Sequence, residues 1–311
     1  MVHLRLIVAP EHVGTVVDGL RATAGVAHVV HLTAVSCTPP GDVVLCDVAR
    51  EAANDVIEWL QRNGVHHGGA ITVEAVEAVV SDAAAVAERE APGQGGDALI
   101  WEELEGRARD DASLTVSFLV FIAIAAVIAG VGILVDSPIL IVAAMVVGPE
   151  YAPVSALCVA AARRRWPHAA RAAGTLVLGL LAAAGAALVA TIAFRATGLA
   201  PDRYDLDGRQ LTSFISRPDG MAAVVAVLAG VVGMLSLTEA RSGALVGVLV
   251  SVTTIPAVAN IGVGTAYGEW AEVGGAFRQL VINLAGLVVA GIATLAVQSR
   301  ITTVRTVKRA G

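Results

Sequence analysis

Charged residues make up only 15% of this 311-residue chain and aromatic residues only 4%, and there are just three cysteines. With 56% apolar residues and a mean hydropathy of +0.74, so little charge excludes an ordinary soluble enzyme and a disordered chain. Collagen-like and coiled-coil architectures are excluded by the same composition. Cys37, Cys46 and Cys158 have no paired spacing, which excludes a disulfide framework and suits a reducing compartment. The first thirty residues lack the basic, apolar and small-residue order of a signal peptide, so the soluble part is expected to stay in the cytoplasm. A basic soluble face is missing too. Residues 1–112 carry 7 Lys/Arg against 18 Asp/Glu, while residues 113–311 carry 14 against 9. That balance argues against nucleic acid as a partner.

What is present divides into an acidic first third and an apolar remainder. Residues 3–9, 26–34, 42–48 and 69–76 read as strands, and 11–24 and 50–63 as amphipathic helices, the second closed by Gly64. Pro39, Pro40 and Gly41 read as a loop. The order βαββαβ describes an α+β ferredoxin-like domain over residues 1–76, one small sheet with two helices on one face. His28 with His31, and His66 with His67, are the only metal-like spacings. A strand turns residues three apart to opposite faces, so the assignment is no metal and no cofactor. Residues 77–112 read as a helical linker. Helices over 77–91 and 99–112 flank a flexible break at 92–96, and Trp101 is a packing or interfacial anchor.

From residue 113 the pattern becomes that of an all-α polytopic membrane domain, 113–299, followed by a basic tail, 300–311. Spans are expected at 114–135, 138–162, 172–194, 220–238, 243–265 and 279–298, each long enough for a hydrocarbon core about 30 Å thick. Their one charged side chain is Glu150. Arg163, Arg164, Arg165 and Arg171 join spans two and three, and Arg300, Arg305, Lys308 and Arg309 follow span six. Basic residues favour the cytoplasmic side. This gives a multi-pass plasma (inner) membrane protein with both termini cytoplasmic and 195–219 as the longest outer loop.

The spans repeat. Ser137 precedes Trp166 by 29 residues and Ser242 precedes Trp270 by 28; Pro153 and Pro256 precede the same tryptophans by 13 and 14. Each half holds three spans, so the second half enters from the opposite side, a 3+3 inverted repeat with proline-broken second and fifth helices. Such repeats with broken helices recur in secondary transporters. The alternative is two kinked helices that serve packing. The breaks make Gly148, Pro149, Glu150, Tyr151 and Pro153, facing Pro256, Asn260 and Asn283, the candidate central membrane site. An ionised carboxylate at the bilayer centre costs at least a few kcal/mol, so Glu150 is either neutral or balanced by a cation, with Asn260 and Asn283 as candidate partners. Asp136 and Ser137 in one short turn, and Glu239, Arg241 and Ser242 in the other, are helix caps with an ion pair or gates. Ala182–Ala187 on span three, with Gly185 among them, allow close helix contact within or between subunits.

The run Ser113, Ser117, Ala129, Gly132, Asp136, Ser137, Pro138 and Met145 resembles the conserved heart of the domain-of-unknown-function family 389, hydrophobic membrane proteins of bacteria and archaea. A second motif matches at Arg241, Ser242, Ala244, Leu245, Gly247, Val248, Pro256, Gly262, Gly268 and Trp270, and Asn283 matches an asparagine early in the last span. Glu150 departs from the family's Ser-Pro-Leu-Met-Gly-Pro, and Ile255-Pro256 replaces a double proline. The resemblance implies membrane topology and carries no biochemical role.

Three functional classes follow. The first is a transporter or channel-like protein for a small solute or ion, regulated by its cytoplasmic domain. The second is a membrane-anchored ligand sensor or scaffold whose spans serve assembly. An enzyme ranks last, since the spans offer one acid, no His pair and no serine–base set. Membrane lipids and a small solute or ion are the expected partners, with a homo-oligomer left open.

Overall fold

A computed structural model describes residues 1–76, 78–91, 100–111, 113–201, 211–212, 215–216, 220–238 and 254–309, the last ten of these and residues 103, 107 and 109–111 by backbone only. The chain divides into two units: Met1–Leu104 with Val297–Gly311, and Glu105–Ala296.

In the first unit, β1 (Val2–Val8) alternates, with Val2, Leu4, Leu6 and Val8 fully buried on one face. Helix α1 (Val13–Ala22) covers that face with Val13, Val16, Val17 and Leu20, the i, i+3, i+4, i+7 stripe of an amphipathic helix. Strands β2 (Val26–Cys37) and β3 (Pro40–Val48) form an antiparallel hairpin. β2 runs beyond the expected end at residue 34, and β3 starts within the expected loop, because proline is tolerated as a strand's first residue. The extra length of β2 is taken up where its register slips, between Ala27 and Val30 and between Leu32 and Ser36. His28 and Ala34 adopt positive φ there, as bulged residues do. Helix α2 (Arg50–Arg62) adds Ala52, Ala53, Val56, Ile57 and Leu60 to the core, and Gly64 ends it in the left-handed conformation. A single turn, α3 (Val65–Gly68), leads into β4 (Ala70–Ala75). The four strands are antiparallel in the order β2-β3-β1-β4. Helix α4 (Asp82–Glu90) starts five residues later than expected, where Ser81 caps it by accepting from the Ala84 N–H. Residues 92–96, the expected break, lie outside the described residues. Ile100 packs into the first unit's core, and the Trp101 N–H donates to Asn54 at 3.3 Å as α5 (Trp101–Asp111) begins.

The second unit is helical. Its elements are α6 (Val116–Leu134), α7 (Pro138–Val147), α8 (Tyr151–Ala162), α9 (Trp166–Ala196), α10 (Gly220–Thr238), α11 (Thr254–Tyr267) and α12 (Trp270–Arg309) as far as Ala296. Four helices among the described residues are long and apolar enough to cross a membrane: α6, α9, α10 and the 270–299 part of α12. The bent pair α7–α8 makes a fifth if counted as one span. The first part of the expected fifth span, 243–253, lies outside the described residues. The small side chains of span three make their contact inside the chain: Ala183 and Ala187 are buried, and a Cβ on Gly262 of α11 would meet Ala187 and the Ala184 carbonyl.

Side-chain bonds fix which helix ends lie together. The Asp136 carboxylate accepts from the Leu211 and Thr212 N–H groups and from the Thr212 hydroxyl at 2.8–3.2 Å. Arg195 donates to the Ala266 carbonyl and lies over the Tyr267 ring, and the Tyr267 hydroxyl donates to Pro201. At the other end Glu105 pairs with Arg163 at 3.0 Å and Arg165 at 2.6 Å. The α6–α7 turn, the loop after α9 and the end of α11 therefore share one end of the bundle. The α8–α9 turn occupies the opposite end with the start of this unit.

Candidate site at the break between α7 and α8

Between α7 and α8 the chain loses helical continuity at Gly148, Pro149 and Glu150, and the two helices meet at 53°. Proline lacks the N–H that would continue α7, so helical pairing stops with the Gly148 N–H on the Ala144 carbonyl at 3.0 Å. α7 has 10 residues and α8 has 12. At 1.5 Å per residue the break stands about 15 Å from one end of the bundle and about 18 Å from the other.

Glu150 is 4% exposed. Its Oε1 accepts from the Thr254 hydroxyl at 2.8 Å, while Oε2 has no partner among the described residues. The adjacent Tyr151 hydroxyl is likewise buried without a described partner, its ring set against Gly233 of α10. Gly148 is needed here, since a Cβ would collide with the Glu150 carboxyl and with Ile255. Buried polar atoms are nearly always paired, so two orphans on adjacent residues of one helix break mark the place to look for chemistry.

The amides expected to serve Glu150 bond elsewhere. Asn260 donates to Glu272 at 3.3 Å, and Asn283 accepts from Gln279 at 3.2 Å. The reason is reach: Asn260 follows Thr254 by six residues, about 9 Å along α11 toward the Asp136 end. Thr254, Asn260, Gln279 and Asn283 are each 2–3% exposed. Pro153 is the third residue of α8 and buried, and Pro256 is the third of α11 and buried. Thr254 and Gln279 were missed as site residues. Gln279 and Asn283, four apart in an apolar helix, had a readable pairing signal; Thr254 had none beyond its place beside Pro256. Asp136 clamps the 211–212 segment, and Ser137 closes the end of α6 through its N–H on the Gly132 carbonyl at 2.8 Å. Glu239, Arg241 and Ser242 lie outside the described residues.

In the first unit His28 and His31 serve different carboxylates. His28 Nδ1 and His3 Nδ1 meet the two oxygens of Asp47 at 2.6 and 2.8 Å, and His28 Nε2 meets the Ser81 hydroxyl at 2.7 Å. His31 Nε2 meets Asp42 at 2.6 Å. Burial opposes the charge on Asp47, but the bonds from His3 and His28 outweigh it and hold the carboxyl below its ordinary range. The rings of His66 and His67 lie 3.9 Å apart. Among the described residues no group of three or more His, Cys, Asp or Glu could hold a metal ion.

The second unit is thus a bundle of apolar helices compatible with a membrane protein, with one broken helix pair carrying a buried acid. Residues 145–289 match the family described as "Domain of unknown function (DUF389)", the same family that the two motifs resemble. The chain is 26% identical over 203 residues to the uncharacterized protein MJ0678 of Methanocaldococcus jannaschii. That match covers 65% of this chain and 59% of the relative, so the chain spans under two thirds of the relative's length. No solved structure matches.

Proposed function

We propose that the chain is a multi-pass inner-membrane protein that moves a small solute or ion through a site at the α7–α8 break, under control of its N-terminal unit. One observation carries the reading: a carboxyl at mid-bundle, on interrupted backbone, with one oxygen unpartnered among the described residues. Irregular backbone at that depth is tolerated only where protein or a wet cavity covers it. The buried polar residues Asn260 and Gln279, with Glu272, extend from the break's level toward the Asp136 end. The reading assigns the chain no catalytic reaction and no nucleic-acid partner.

An inverted 3+3 repeat of six spans is supported by the matched places of Pro153 and Pro256 and by the opposite directions of α8 and α11. α8 ends beside Glu105, and α11 ends beside Arg195. The arginines of the α8–α9 turn favour the cytoplasmic side for that turn, and both termini are proposed to be cytoplasmic with it. The β2-β3-β1-β4 order supports a ferredoxin-like unit, a fold suited to a small ligand or to pairing in a homo-oligomer.

The test is flux in liposomes loaded with pH- and potassium-sensitive dyes. Glu150→Gln keeps the shape and the Thr254 contact but cannot ionise, and it is expected to abolish flux or its pH dependence. Equal flux and pH dependence in parent and variant would reject the site. If neither moves any tested solute, a membrane-anchored sensor or scaffold replaces the transporter reading.

A further inference from the structure

A cavity of about 320 Å³ opens at the Glu105 end of the bundle, away from the break. Its walls are of two kinds. Leu114, Ala156, Val159 and Ala160 form an apolar side, while Glu105, Arg165, His168 and Arg171 form a polar mouth. The arrangement follows from helix periodicity: His168, Arg171, Ala172 and Thr175 stand at i, i+3, i+4 and i+7 on α9, one face of one helix. Glu105 answers Arg163 and Arg165. His168 and Arg171 have no ion-pair or hydrogen-bond partner among the described side chains. The Arg171 guanidinium therefore keeps an uncompensated positive charge beside an apolar wall, at the level where the bundle ends. Trp166, 66% exposed at the same turn, is the residue type that sits at a headgroup boundary.

We propose that this cavity binds the phosphate headgroup of an anionic phospholipid, the phosphate against Arg171 and His168 and the start of an acyl chain along Val159 and Ala160. A free anion would leave the apolar wall unused, whereas a zwitterionic lipid would bring its own cation beside Arg171. Only an amphiphile with net negative charge satisfies both walls. The site requires that the bundle lie in a membrane and is independent of what, if anything, crosses at Glu150.

The full-length protein, recovered from nanodiscs of equimolar phosphatidylglycerol and phosphatidylcholine, is examined by native mass spectrometry for retained lipid. The parent is expected to retain phosphatidylglycerol in about tenfold excess, and Arg171→Gln to reduce that excess about fivefold, the effect of one surface charge. Arg171→Lys should retain the preference, and Arg164→Gln, a neighbouring charge outside the cavity, should leave it intact. Millimolar inorganic phosphate should not displace the lipid. Equal retention of the two lipids by the parent, an unchanged ratio in a folded Arg171→Gln/His168→Gln variant, or displacement by inorganic phosphate would each overturn the proposal. Displacement would assign the cavity to a soluble anion.

Discussion

Asp42 in the N-terminal unit and Glu150 in the helical bundle are buried to nearly the same degree, 7% and 4% exposed, yet their carboxyls are used differently. Asp42 accepts from the Ala34 backbone N–H at 2.8 Å and pairs with His31 at 2.6 Å, so both oxygens are occupied. The Ala34 N–H first, and then His31, hold its carboxyl below the ordinary range. Asp47 is treated alike by His3 and His28. These acids fasten the β2 bulges to β3 and, through Ser81, α4 to the sheet. Glu150 has one hydroxyl partner and an open oxygen. In the α/β unit the fold holds both oxygens of each buried carboxyl, whereas in the bundle the Glu150 carboxyl sits on interrupted backbone with one of its oxygens held.

The comparison breaks at once if the two units do not lie as proposed about a membrane. In intact cells, a cysteine replacing Asp205 should react fully with an impermeant reagent, and one replacing Arg305 should be protected. The reverse pattern would invert the topology. Next in size is the N-terminal core. Leu6 is fully buried between the sheet and its helices, so Leu6→Ala should lower that unit's unfolding free energy by about 3 kcal/mol, read by chemical denaturation of a 1–104 fragment. The fragment reaches residue 104 because Ile100 belongs to the same core.

A sharper contrast comes from removing one charge in each region. Asp47→Asn deprives His3 and His28 of their shared carboxylate and should destabilise the first unit by about 2 kcal/mol. Glu150→Gln should leave the bundle's thermal stability nearly unchanged, because the amide still accepts from Thr254. Comparable losses in both would show Glu150 to be a structural staple. The smallest effect is that of pH. The folded-state values of Asp42 and Asp47 are depressed, so their contribution is complete above the ordinary Asp value of about 3.9 and disappears as pH falls through the folded values. Denaturation of the 1–104 fragment should show a loss of stability confined to that acidic window and diminished in Asp47→Asn.

Most of the N-terminal unit was legible because its strands alternate and its helices carry one apolar stripe, as Val2–Val8 and Val13–Leu20 do. The bulges at His28 and Ala34 were not, since they come from fitting a long β2 to a shorter β3, a property of the pair. In the bundle, proline and glycine at 148–153 announced the break between α7 and α8. The partner of Glu150 was not announced. Composition made Asn260 and Asn283 the polar candidates, but the reach of α11 set Thr254 at the carboxyl and left Asn260 about one and two-thirds turns away, beside Glu272. Likewise the small residues of span three announced close packing without saying against what; Gly262 supplies the answer.

Movement of a solute through the break requires that water and a small solute reach it. With Cys37, Cys46 and Cys158 replaced, Thr254→Cys puts a thiol at the Glu150 carboxyl, and its reaction with a small cationic thiosulfonate can be followed in proteoliposomes. Labelling is expected from one face of the membrane, slower in Glu150→Gln, where the attraction for the cation is lost. A thiol that reacts from neither face until the protein is denatured would contradict it and leave a sealed bundle.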